Sequence, residues 1–159
     1  MNDTAMFAFE ADFVATLRCV PMAVRFKLDA CAIKLTLRQW SRFTRPDRQD
    51  LLDRPCETTA EIASYRAALV ELIALRTGEV ATPLATPPCG AWEDARQTAP
   101  VVSAYARSLG LPAPSAAQWA RLSRLQRFVL IKLTRDNHDN VNFTPAMAEF
   151  GLLEMAPAG

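Results

Sequence analysis

One register constrains the fold of this chain more than any other feature. Laid on itself at an offset of 79, which puts Trp119 on Trp40, the sequence pairs Pro21 with Pro100, Phe26 with Tyr105, Thr36 with Ser115 and Gln39 with Gln118. The same register pairs Arg42 with Arg121, Phe43 with Leu122, Thr44 with Ser123, Arg45 with Arg124 and Arg48 with Arg127. Matches of this kind without a gap point to an internal duplication, each copy a helix, a short capped helix and a second capped helix. Tyr65 and Phe143 occupy comparable places with a shift of one residue, so the copies diverge beyond their third helix.

Local signals agree on helix. Thr36 with Gln39, Ser115 with Gln118 and Ser123 with Gln126 spell capping boxes, in which the hydroxyl and the Gln side chain each accept a backbone N–H at the helix start. Thr44-Arg45-Pro46-Asp47 restarts a helix with proline in the tolerated first turn, ending near Arg54 before Pro55. Thr58-Thr59-Ala60-Glu61 opens the longest helix, with Ile62, Tyr65, Leu69, Leu72 and Ile73 on one face and Gly78 as its stop. Earlier, Phe9, Phe13, Val14 and Leu17 predict a short helix, and Pro21 starts another lined by Met22, Phe26 and either Ala30 or Cys31. Pro145 starts a last helix with Met147 and Phe150, and the tail after Glu154 reads as disordered. The expected fold class is all-α: two tandem, related three-helix units, residues 1–78 and 100–159, joined by a Pro-rich linker, 79–99, in one compact domain. The linker carries Pro83, Pro87, Pro88 and Gly90 without a sustained period, and its Trp92 is expected to dock on a neighbouring surface.

Composition narrows the class. A chain of 159 residues buries roughly 70% of its unfolded surface, enough for a core without metal or disulfide staples. With 18 basic and 17 acidic side chains the net charge is +1, which opposes broad electrostatic binding of nucleic acid. Glu10 and Asp12 interrupt what an export signal would need apolar, and runs such as Phe128 to Ile131 fall far short of the roughly 20 residues of a membrane helix. Four scattered cysteines then read as cytoplasmic thiols.

Charge separates the copies. Arg42, Arg45 and Arg48 are interleaved with Asp47, Asp50 and Asp53, a self-neutralised face. From Gln118 to Arg135, by contrast, Arg121, Arg124, Arg127, Lys132 and Arg135 stand with no carboxylate among them. Such a patch suits an acidic protein surface or a phosphorylated ligand, unless Glu93, Asp94 or Glu149 folds over it. The adjoining Asp136-Asn137-His138-Asp139-Asn140-Val141-Asn142 is dense in side chains that bond their own backbone, which makes it a turn network or a ligand contact. His138 is the one histidine of the chain, so the His-Asp dyad of all-helical metal phosphohydrolases lacks its further ligands and is rejected. No Cys-x-x-Cys pair exists to nucleate a metal site, and no catalytic signature is present. Cys19, near a helix N-terminus, is a candidate for a lowered thiol pKa, against a structural role for Cys19 and Cys56.

Several strings carry a family resemblance: Phe9-Glu10-Ala11-Asp12-Phe13, Leu17-Arg18-Cys19-Val20-Pro21-Met22, Lys27-Leu28-Asp29, Trp40, Pro55-Cys56, Leu125-Gln126-Arg127-Phe128, Leu130-Ile131-Lys132-Leu133, His138, Asn140, Asn142-Phe143 and Glu149-Phe150. From Phe9 to Phe150 the chain resembles the nitrate reductase-associated proteins best known from cyanobacteria. The resemblance implies a cytoplasmic, non-catalytic accessory or maturation factor for assimilatory nitrate reductase. Its partner would be that enzyme or its molybdenum-cofactor loading machinery, and it would need no cofactor or metal. The expected contact surface is Arg121, Arg124, Arg127, Lys132, Arg135, His138, Asn140 and Asn142. The alternative is a molybdopterin-type small-molecule binder or a metal or redox protein using Cys19, Cys56 and His138. A DNA-binding helix-turn-helix ranks third, because the acid-studded first copy opposes phosphate.

Overall fold

A computed structural model describes residues 7–11, 17–84, 91–135 and 141–153. Among them helices dominate, and the chain divides into two compact units, residues 1–89 and 90–159. The first unit holds a 3-10 turn at Ala8–Glu10, then α1 (Met22–Cys31), β1 (Ile33–Lys34), α2 (Leu37–Arg42), α3 (Arg45–Asp53), α4 (Thr59–Thr77) and β2 (Thr82–Pro83). The second holds a 3-10 turn at Ala91–Glu93, then α5 (Pro100–Ser108), α6 (Ala116–Arg121), α7 (Arg124–Lys132) and α8 (Phe143–Glu149).

The capping boxes form as spelled. Thr36 Oγ1 accepts the N–H of Gln39 at 3.0 Å, and Gln39 Oε1 accepts the N–H of Thr36 at 3.0 Å. Ser115 and Gln118 repeat this at the start of α6, and Ser123 with Gln126 at the start of α7. α2 and α6 are six residues each, α3 and α7 nine each, and all four start at positions 79 apart. Trp40 and Trp119 are fully buried, and each indole N–H donates to a backbone carbonyl, Leu17 at 2.8 Å and Asp94 at 2.9 Å.

In the first unit α1 and α2 pack on α4, which buries Tyr65, Leu69 and Ile73 and stops at Gly78 with φ of 73°. On α1 the choice between Ala30 and Cys31 falls to Cys31, which is buried while Ala30 is exposed. Pro21 is the N-cap of that helix and has no side chain to cap with. Glu10 supplies the missing acceptor from outside: its Oε2 takes the N–H of Met22 at 3.1 Å and its Oε1 that of Phe7 at 3.2 Å. These two backbone donors help the carboxylate tolerate 1% exposure. Of the predicted first helix, only the turn at Ala8–Glu10 and the buried Leu17 are described; Phe13 and Val14 lie outside the described residues. The tail after Glu154 does too.

Both ends of the stretch read as a linker are tied down. Thr82 and Pro83 pair antiparallel with Lys34 and Ile33, and the N–H of Leu84 donates to Ala32. At the other end Trp92 is buried against Phe128, ring centroids 5.1 Å apart and edge-on, and Thr98 donates to the carbonyl of Pro114. A two-residue ladder is too short to show alternation, and Pro83 sits where a ladder edge tolerates it.

On α3, Asp47 accepts the N–H of Thr44 at 2.9 Å and the Arg76 guanidinium at 2.8 Å. Burial raises its pKa, but the hydrogen bonds from Arg76 and Thr44 outweigh this and hold it below 3.8. A depressed carboxyl stabilises the fold above its ordinary value and loses that contribution as pH falls through the folded one. Thermal melts of Asp47→Asn are therefore expected to lie below those of the parent at neutral pH and to converge with them below about pH 4.

Candidate functional site

The five cations between Gln118 and Arg135 do not share one face. Arg127 is 6% exposed, with its Nε donating to the carbonyl of Trp92 at 2.6 Å and its Nη1 to that of Leu122 at 2.7 Å. It is a backbone clamp and is absent from the exposed surface, which corrects the expectation that it faces a partner. Its counterpart Arg48 does similar work, donating to the carbonyls of Trp40, Leu17 and Ser41. Arg124 is exposed and meets Glu93 at 2.9 Å, so one acid does fold over the stretch. The side chain of Asp94 is taken by Arg96 instead. Lys132 is half-buried with its ammonium 5.3 Å from the Phe128 ring centre. Arg121 and Arg135 are exposed, Asn142 is half-buried at the start of α8, and His138 and Asn140 lie outside the described residues.

Arg121 lines an open cleft of about 350 Å³ that the sequence reading missed. Its apolar floor is Leu122 and Leu152, both buried, with Phe150 beside them. Leu152 arrives there because α8 ends in a left-handed turn: Gly151 has φ of 74°, and the N–H of Leu152 returns to the carbonyl of Met147 at 2.9 Å. The polar lining is Gln118, Gln126 and Arg121. Each glutamine accepts a backbone N–H on Oε1 at 2.9 Å in its own capping box, which fixes the orientation of its amide, and its Nε2 is a donor. The side chains therefore offer donors and a positive charge. Gln118 and Arg121 are three residues apart, neighbours on one helical face.

The corresponding glutamine of the first unit has a partner. Gln39 Nε2 donates to Glu79 Oε1 at 3.1 Å, and Arg38 Nη1 reaches Glu79 Oε2 at 2.7 Å. Those two groups, Arg38 foremost, hold the Glu79 carboxyl below its ordinary pKa. Among the described residues, no carboxylate meets Gln118 or Arg121.

Burial raises the pKa of two thiols of the first unit, Cys31 and Cys56. Cys56 and Cys31 are buried, and Cys19 is half-buried. Burial, with the neighbouring Cys31 second, pushes the Cys56 thiol from 9.0 up to about 11. At about pH 8 its thiolate fraction then falls roughly a hundredfold, so iodoacetamide is expected to modify Cys56 only as fast as the chain opens. Labelling followed by peptide mass spectrometry, with and without urea, checks this; equal rates in both would contradict it. Among the described residues, no cluster of three His, Cys, Asp or Glu side chains is placed to hold a metal ion, and no helix is long and apolar enough to cross a membrane.

Comparison with known proteins gives one match. A family model described as conserved nitrate reductase-associated protein matches residues 6–150. No curated protein and no solved structure matches the chain.

Proposed function

The chain belongs to the family of conserved nitrate reductase-associated proteins, and from that premise we propose that it is a non-catalytic accessory or maturation factor for assimilatory nitrate reductase, acting in the cytoplasm by protein–protein binding. The family match across residues 6–150 carries this reading. Its partner is nitrate reductase or the machinery that loads the enzyme's molybdenum cofactor. The contact surface is the exposed Arg121, Arg124 and Arg135 with the half-buried Lys132 and Asn142, together with the stretch that holds His138 and Asn140; guanidinium groups grip carboxylates in pairs of hydrogen bonds. The two units are read as copies of one three-helix element, supported by the recurrence of cap, helix length and tryptophan N–H bond at an offset of 79. The rival, a redox or metal protein using Cys19, Cys56 and His138, finds no support in a buried Cys56 thiol raised to about 11.

The test is co-elution on a sizing column of the purified protein with apo and cofactor-loaded nitrate reductase from the same source. Binding to the apo form alone makes the protein a maturation factor. Binding to both makes it an accessory subunit or stabiliser. Binding to neither overturns the reading.

A further inference from the structure

We propose that the cleft beside Arg121 is a receptor for a carboxylate side chain of a partner protein, an Asp or Glu carried next to an apolar residue. The first unit displays the recognition already made. There, a glutamine whose oxygen is locked in a capping box turns its amide to Glu79 at 3.1 Å while a guanidinium on the same helix takes the other oxygen at 2.7 Å. The second unit repeats the locked glutamine at Gln118, in register at an offset of 79; Ala117 stands at the place of Arg38, and the guanidinium comes instead from Arg121, three residues on from Gln118 and on the same helical face. Among the described residues no carboxylate reaches Gln118 or Arg121.

The rest of the cleft defines the ligand further. A second locked amide, on Gln126, adds a donor, and among the described residues no acidic side chain lines the cleft. A carboxylate with two oxygens takes such donors well, whereas a cation would meet only Arg121 and the two amides. Half-buried Phe150, beside the buried Leu122 and Leu152, presents apolar surface that a free inorganic anion leaves uncovered, which favours a side chain on a peptide. That the partner is a protein rests on the protein-binding reading above; the choice of carboxylate rests on the cleft alone.

The probe is acetyl-Leu-Glu-amide titrated into the ¹⁵N-labelled full-length chain, with acetyl-Leu-Gln-amide and inorganic phosphate in parallel. Saturable shifts of the Gln118 and Gln126 side-chain amides are expected with the acidic dipeptide. Loss of the charge-assisted pair in Arg121→Gln should weaken binding about tenfold, and the neutral dipeptide should bind weaker by a similar factor. Arg121→Glu should abolish binding, with far-UV circular dichroism confirming that the exposed substitution leaves the helices intact. No saturable shift, equal affinity for the neutral dipeptide, or tighter binding of phosphate at the same amides would each overturn the proposal. Co-elution with nitrate reductase separates the two readings. Dipeptide binding without co-elution removes nitrate reductase as partner and keeps the cleft, while co-elution without dipeptide binding removes the cleft and keeps the partner.

Discussion

Arg127→Met is expected to destabilise the second unit by about 2–3 kcal/mol, a net of losing charge-assisted hydrogen bonds and sparing a guanidinium its burial. The guanidinium holds the carbonyls of Trp92 and Leu122 at 2.6 and 2.7 Å in a site 6% exposed, and methionine would take from each buried acceptor the donor that Arg127 supplies. Arg127→Lys should recover only part, because a single ammonium cannot reproduce a planar fork that spans two acceptors. Arg121→Met, on the exposed end of α6, should stay within about 0.5 kcal/mol of the parent. Urea midpoints followed by far-UV circular dichroism measure all three. An Arg127→Met midpoint equal to that of Arg121→Met would sink the clamp. Loss of partner binding in an Arg127 variant would accordingly report unfolding and say nothing of contact.

Trp40→Ala should cost more, about 3–5 kcal/mol, since it empties the largest buried side chain of the first unit. The indole does two jobs. Its rings pack edge-on against Phe43, centroids 6.1 Å apart, with the Arg48 guanidinium 5.8 Å from the ring centre. Its N–H, at 2.8 Å, shares the Leu17 carbonyl with Arg48 Nη1 at 3.2 Å. Leu17 has φ of 59°, a conformation a branched side chain resists, and these two donors help hold it there. Trp40→Phe keeps most of the packing and removes one donor, so it should cost about 1–3 kcal/mol. Thermal or urea denaturation ranks the pair; if Trp40→Phe matched Trp40→Ala, the hydrogen bond would outweigh the packing, contrary to this account.

The sequence alone determined what hydrogen bonds between near neighbours decide. The capping boxes at Thr36, Ser115 and Ser123, the buried stripe Tyr65, Leu69 and Ile73, and the stop at Gly78 were all legible, because each involves residues within one or two helical turns. The offset of 79 likewise foretold that α6 and α7 would match α2 and α3 in length and cap. Only the tertiary structure decided which cations face outward. Spacing makes Arg124 and Arg127 alike, yet the Trp92 carbonyl, 35 residues before Arg127, draws one guanidinium inside, while Glu93 meets the other at the surface. Glu10 capping Met22, the ladder of Ile33 with Pro83, and the cleft joining Leu122 to Leu152 have the same origin. Each needs a partner distant along the chain, and periodicity gives a side chain its face on a helix without saying what stands opposite.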